Sequence, residues 1–242
     1  MSDGGAERRA GPGVTPAEVR QMFDRIAGRY DLMNRLITLG QDRRWRRLMV
    51  AEAALGPGGR LLDLGAGTGE VAREARRQHP DLALALAADL SPGMLRAGQQ
   101  RPGSEGMAWS QLDALRLPFA DASFDAVTSA YLARNVADPQ QMFSEQLRVL
   151  RPGGRVVCLD TTPPAAGPMA PLVWLHMRAA IPLLGRLVAG DAAAYRYLPR
   201  TSRAFLRPGA LAGVMTGAGF VEVRFQTLML GTQALHVGQK RA

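Results

Sequence analysis

Asp63, Gly65, Gly67, Gly69, Asp89 and Asp113 are the residues whose types and spacing could do chemistry. Leu61-Leu62-Asp63-Leu64 reads as a short buried strand, the three alternate glycines as a tight turn, and Val71 to Gln78 as the helix that leaves it. A strand–turn–helix of this kind presents backbone N–H groups to a ligand, and glycine lets the ligand approach the main chain closely. A dinucleotide fingerprint would read G-x-G-x-x-G. Here position 70 is Glu, so a carboxylate stands where a pyrophosphate needs donors. Asp63 and Glu70 instead suit a ligand that carries positive charge. Asp89 follows Asp63 by 26 positions and ends the next strand, where it can accept both hydroxyls of a ribose. Asp113 ends a third strand and can accept from an adenine amino group, with Ala114 N–H donating.

The ligand implied is an adenosine bearing a cation, and S-adenosylmethionine, with its ammonium and sulfonium, has that chemistry. Asp63, Gly65, Gly67, Thr68, Asp89, Asp113 and Ala114 are the expected cofactor contacts.

The elements that must position these residues read in order. Residues 1–14 are polar and Gly-rich, a disordered tail by composition. Thr15-Pro16-Ala17-Glu18 is a capping box with Pro at the first helical position, and Val19, Met22, Phe23 and Ile26 line one face of the helix it starts. Tyr30-Asp31-Leu32-Met33-Asn34 precedes a second short helix. A third, Asp42 to Leu55, carries Arg43, Arg44, Arg46 and Arg47 around Trp45. That helix suits either an anionic membrane surface or a solvated face with Trp45 in the core. From Arg60 strands and helices alternate, which predicts a parallel sheet. Its strands are expected at Leu82 to Ala88, Met107 to Leu112, Phe124 to Tyr131 and Arg155 to Asp160, with Ser91-Pro92 and Asp138-Pro139 as helix caps. Thr161 to Gly190 is apolar but broken by Arg178, Pro182 and Arg186, so it reads as a cover over a site rather than a membrane span. Leu211 to Met215 marks one more helix, and Phe220 to Phe225 with Leu228 to Gly238 a closing pair of strands.

A chain of 242 residues with 47% hydrophobic residues can form one full α/β core. Cys158 is the lone cysteine, which excludes an internal disulfide framework and a Cys-based zinc site; no metal is expected. Its apolar run, Val156 to Leu159, predicts a buried structural thiol. No apolar signal segment is read at the start, so the expected compartment is the cytoplasm. The net charge of +9 rests almost wholly on arginine, since Lys240 is the one lysine, and reads as a compositional habit rather than a nucleic-acid footprint.

The strand–turn–helix resembles motif I of the class I, Rossmann-like methyltransferases. Within them the sequence is similar to the ubiquinone/menaquinone biosynthesis C-methyltransferases. The similarity lies in Tyr30-Asp31-Leu32-Met33-Asn34 with Thr38, Asp42 and Trp45, and in Arg148-Val149-Leu150-Arg151-Pro152-Gly153-Gly154-Arg155 through Asp160 and Thr162. Leu117-Pro118-Phe119, Arg134-Asn135-Val136, Asp191 with Tyr195-Arg196-Tyr197-Leu198, and Ala234-Leu235-His236 add to it. Thr38 and Thr162 stand for a usual Ser, Asp160 for Glu, Asp42 for His, and Ala130 for a cofactor-contacting Ser; Ser129 beside it would face the other way.

The resemblance implies a mostly parallel seven-stranded sheet with an antiparallel edge strand and helices on both faces. It implies one methyltransferase domain over 15–242, with N-terminal helices in 15–55 and the substrate cover in 161–206. The implied reaction moves a methyl group from S-adenosylmethionine to a ring carbon of a polyprenyl quinol, demethylmenaquinol in the menaquinone case; a ubiquinone-precursor ring, another small molecule, RNA or a non-catalytic binding role are the alternatives. Arg134 and Asn135 would stabilise a phenolate and Asp160 would be the base. Peripheral contact with an anionic membrane at its inner face, a candidate homodimer and no nucleic-acid partner complete the expectations.

Overall fold

The computed structural model describes residues 15–164, 170–180, 183 and 200–242. Helices α1 (Pro16–Ile26), α2 (Tyr30–Ile37) and α3 (Asp42–Ala53) precede an alternation of strand and helix. It runs β1 (Arg60–Leu64), α4 (Glu70–Gln78), β2 (Leu84–Asp89), α5 (Pro92–Gln99), β3 (Ala108–Gln111), β4 (Phe124–Ala130), α6 (Pro139–Val149) and β5 (Leu150–Thr161). After α7 (Ala170–Leu175) the chain closes with α8 (Pro208–Gly217), β6 (Val221–Leu228) and β7 (Gln233–Gln239).

The strands form one seven-stranded sheet in the order β3-β2-β1-β4-β5-β7-β6. It is mostly parallel, with β7 running antiparallel toward one edge. Chain order steps outward from β1 to β3 and then reverses to β4 on the far side of β1. That reversal opens a crevice at the carboxyl ends of β1 and β4, the place where open α/β sheets bind ligands. Leu61, Leu62, Leu64, Ala126 and Val127 are fully buried, as strands covered on both faces must be.

Local chemistry sets the helix starts. Thr15, Ser91 and Asp138 each accept a backbone N–H from the first turn of the helix they cap, and Pro follows each cap. The Tyr30–Asn34 segment is the first turn of α2 itself rather than its approach. β5 begins at Leu150, ahead of the Arg151–Gly154 turn expected to introduce it. Leu228 ends β6 instead of opening the last strand, because a short 3-10 turn, Met229–Gly231, intervenes.

Helix α3 puts its tryptophan in the core and divides its arginines between two faces. Trp45 is buried with Met49, Val50 and Leu61. Arg46 turns inward and bridges Asp42 and Glu70, both at 2.9 Å. Arg43, Arg44 and Arg47 face outward. The expected tail, half of the expected cover, Asp191 and Tyr195–Leu198 lie outside the described residues. Of the cover, α7 is described, and its Val173 joins Val19, Met22, Ile26, Met33 and Met94 in one buried cluster.

Candidate active site

At the crevice the main chain leaves β1 through Gly65, Gly67 and Gly69, with φ of 61°, 56° and 77°. L side chains rarely adopt that region. A Cβ on Gly69 would lie 2.5 Å from the Trp109 ring. One on Gly67 would clash with nothing and would come into ordinary contact with Tyr30 at 3.8 Å and Met94 at 4.0 Å.

A cavity of about 100 Å³ lies against the turn. One wall is the glycine turn with Asp89, Asp113 and Ala114; the other is Ala130, Tyr131, Leu132 and Asn135. Val19, Phe23 and Tyr30 close it from the N-terminal helices. Those helices are tied down by two carboxylates. Asp24 accepts from Ser91 Oγ at 2.6 Å and Gly93 N at 2.8 Å, and Asp31 accepts from Thr68 Oγ1 at 2.9 Å.

Asp89 is held ready for a ligand. Its two oxygens take one backbone N–H each, from Gly67 and Ser91, both at 2.8 Å, and each keeps a lone pair. Burial pushes its carboxyl above the ordinary range. Asp113 accepts from Leu115 N at 2.9 Å and is exposed at the cavity edge.

Four expected contacts stand elsewhere. Asp63 does not line the cavity. It lies fully buried under the turn, accepting from Thr128 Oγ1 at 2.8 Å and Ala72 N at 3.3 Å, and burial pushes its pKa up to about 7. Thr68 points back to Asp31. Arg134 and Asp160 close on one another at 2.6 Å, with Arg134 N also donating to Asp160 at 3.2 Å. Asp160 further accepts from Thr161 N at 2.7 Å, so it faces donors rather than the cavity. Burial works against the Arg134 charge, but the adjacent Asp160 holds the guanidinium pKa above its usual value. Glu70, read as negative charge at the turn, is spent on Arg46 and Arg73. The negative charge at the cavity therefore comes from Asp89 and Asp113.

Tyr30, Tyr131 and Leu132 line the cavity and were given no site role from sequence. Tyr30 was visible as the first residue of a family segment. Tyr131 carried a signal only as a strand-end residue. Its φ is +62°, its ring lies 5.0 Å from Arg134 Cζ, and its buried hydroxyl has no hydrogen-bond partner among the described residues. Ala130 faces the cavity while Ser129 is buried away from it, as strand alternation requires. Cys158 is buried, which pushes its thiol up to about 12, and is structural. His236 is buried with Nε2 at 2.9 Å from Pro208 O.

Residues 13–240 match the model of the ubiE/COQ5 methyltransferase family. The chain belongs to the ubiE/COQ5 methyltransferase family. It is 48% identical over 230 residues, 95% of this chain and 91% of the relative, to the ubiquinone/menaquinone biosynthesis C-methyltransferase UbiE of Desulfotalea psychrophila. It is 43% identical to the demethylmenaquinone methyltransferase of Deinococcus radiodurans, covering 92% of each chain. Among solved structures, the methyltransferase in a complex with the Trm112 activator from Haloferax volcanii superposes with a TM-score of 0.65 at 19% identity, over 91% of this chain and 98% of that one. The phosphoethanolamine N-methyltransferase 2 of Haemonchus contortus, in complex with S-adenosyl-L-methionine, gives 0.63 at 16%, over 82% and 53%. These two share the fold.

As a ubiE/COQ5 methyltransferase the protein is an enzyme, and its methyl donor is S-adenosylmethionine. The residues present fit that donor. Gly65 and Gly67 line the cavity with bare main chain, Asp89 has free lone pairs for a ribose, and Ala114 with Asp113 stands at the adenine end of the wall.

Proposed function

We propose that this enzyme methylates a ring carbon of a polyprenyl quinol, demethylmenaquinol first, to complete menaquinone. The observation that carries the reading is the split wall of the cavity. Its β1–β2 side offers carboxylates and backbone donors suited to a cationic adenosine. Its β4 side offers Tyr131, Leu132 and Val136, an apolar and aromatic surface suited to a flat ring. The relatives' names, menaquinone methyltransferases among them, support the same acceptor.

S-adenosylmethionine supplies an electrophilic methyl carbon. The chain's own work is to hold the acceptor carbon in line with it, which is mainly positioning. Burial raises the Tyr30 hydroxyl pKa, so Tyr30 stays protonated near neutral pH and can donate to an acceptor oxygen. Asn135 stands in the wall, with Nδ2 fixed on Tyr131 O at 2.8 Å. Arg134 sits behind Tyr131, and Asp160 fixes its orientation as a positioning partner rather than as a base in this arrangement. The work is done in the cytoplasm, at the face of the membrane that holds the quinol.

The test is methyl transfer from labelled S-adenosylmethionine to a short-chain demethylmenaquinol, with the oxidised quinone as control. Turnover of the quinol alone is expected, because only the quinol has a hydroxyl whose ionisation makes the ring carbon nucleophilic. Asp89→Ala removes charge-assisted bonds worth roughly 1.5–3 kcal/mol, so cofactor affinity should fall about ten- to hundredfold by calorimetry. Equal rates on quinol and quinone, or unchanged affinity, would refute the reading.

A further inference from the structure

Two leucines of this chain are displayed where a folded protein gains nothing by showing them. Leu39, between α2 and α3, has φ of +54° and is 75% exposed. Leu230, in the turn between β6 and β7, also has φ of +54° and is 60% exposed. A left-handed backbone is unfavourable for a leucine, and it is ordinarily given to Gly or Asn. Here it turns an apolar side chain outward twice.

The two tips share one edge of the molecule. Leu228 pairs with Gln233, and Gln233 with Thr161, so the turn bearing Leu230 sits at the carboxyl end of β5. Arg46 joins the first turns of α3 and α4 through Glu70, so the start of α3 lies at the carboxyl end of β1. This is the edge at which the methyl-transfer cavity opens. Between α3 and the end of β6 runs a groove with Gln41, Arg44 and Arg47 on one side, Arg77 at the end of α4 beyond them, and Leu228 and Met229 on the other. Arg43 and Arg44 are exposed and form no ion pair with the described residues. Arg47 and Arg77 share the single carboxylate of Glu74, so the groove carries net positive charge.

We propose that this edge docks on an anionic phospholipid bilayer, with Leu39 and Leu230 inserted below the headgroups and Arg43, Arg44 and Arg47 against their phosphates. Apolar tips flanked by cations are what interfacial binding requires. No helix among the described residues is long and apolar enough to cross a membrane. The inference deepens the quinol reading, since it brings the cavity mouth to the lipid phase in which a polyprenyl tail dissolves.

Flotation of the full chain with phosphatidylcholine vesicles, with and without phosphatidylglycerol, tests it. Binding is expected on the anionic vesicles only, weakening as salt is added. Leu39→Ser with Leu230→Ser should lower partitioning by about tenfold or more, the scale of removing two apolar side chains from the interface. Arg44→Gln with Arg47→Gln should lower it by roughly twenty-fivefold, since each basic residue contributes about fivefold. All four substitutions lie on the surface, and each variant should keep its rate on a water-soluble, short-chain quinol while losing rate on a vesicle-embedded long-chain one. Equal binding to both vesicle types, or variants that bind like the parent chain, would overturn the proposal. So would a solution dimer that Leu39→Ser dissociates, because the edge would then be a subunit interface. A parent chain that binds anionic vesicles yet fails to methylate the soluble quinol would refute the acceptor and leave this surface standing.

Discussion

Asp89 and Asp160 both stand at carboxyl ends of strands in one sheet, and the structure treats them in opposite ways. Asp89 is held by neutral backbone donors and stays open toward the cavity. Asp160 is closed on Arg134 with both groups sealed from solvent. The β1–β2 half of the edge thus keeps its charge for a ligand, and the β4–β5 half neutralises its own. A strand-end carboxylate is a binding group only when its partner in the fold is weaker than the ligand will be. Backbone N–H groups meet that condition, whereas a buried guanidinium does not.

The largest effect expected from breaking this contrast is on stability. Asp160→Ala leaves the Arg134 guanidinium buried and uncompensated, which costs roughly 3–5 kcal/mol. Urea unfolding should show that loss, and Arg134→Met with Asp160→Leu together should recover most of it. Asp89→Ala should cost far less, since the carboxylate it removes is itself disfavoured by burial. If the two single variants are equally stable, the β4–β5 pair is no brace and Arg134 is free to reach the cavity.

A somewhat smaller effect is expected from pH. Asp63 has its pKa raised from 3.8 to about 7, chiefly by burial, and Asp89 and Asp31 are raised in the same direction for the same first reason. Between those two values the folded ligand-free chain keeps a proton that the unfolded chain has lost. Its stability therefore falls as pH rises across the window and levels off above it. A shift of about three units corresponds to roughly 4 kcal/mol at most. Asp63→Asn should flatten the slope, as read from denaturation midpoints between pH 5 and about 8. A cationic cofactor acts in the opposite sense. It favours the ionised form of Asp89, whose pKa burial raises, so its affinity should rise with pH as that carboxyl loses its proton, with protons released on binding. A flat stability profile would show that Asp63 is better solvated than its surroundings suggest.

Much of this was legible in the residues alone. Hydrophobic runs and Pro-containing caps located all seven strands, if not all their ends, and the starts of α1, α5 and α6, because those signals are local. The turn glycines, Asp89, Asp113, Ala114 and Asn135 were placed at an edge that the alternation itself predicts. What escaped was the choice of partner. Strand periodicity says which face a side chain takes, yet not that Asp63 will find Thr128 or that Thr68 will find Asp31, 37 positions away. Arg134 and Asp160 were both seen, and their pairing across 26 positions was the one thing their types could not decide. The end of β6 was misplaced for a similar reason. Thr227-Leu228-Met229-Leu230 is apolar enough to pass for a strand, and its left-handed turn has no glycine before Gly231 to announce it.

Tyr131 lies on the seam between the two halves and offers the smallest and finest test. Its ring stacks near Arg134 and its side chain forms part of the cavity wall. Its hydroxyl is buried with no hydrogen-bond partner among the described residues. An unsatisfied buried donor is unfavourable by about 1–3 kcal/mol. Tyr131→Phe keeps the ring and removes the hydroxyl, so the ligand-free protein should gain about 1 kcal/mol in unfolding free energy. If an acceptor oxygen uses that hydroxyl during methyl transfer, the same variant should lose several-fold in kcat while its cofactor affinity holds. Gained stability with unchanged turnover would make Tyr131 a plain wall residue. Lost stability would mean that the hydroxyl already has a partner in the folded chain, and that the β4 side of the cavity is as closed as the Arg134–Asp160 pair behind it.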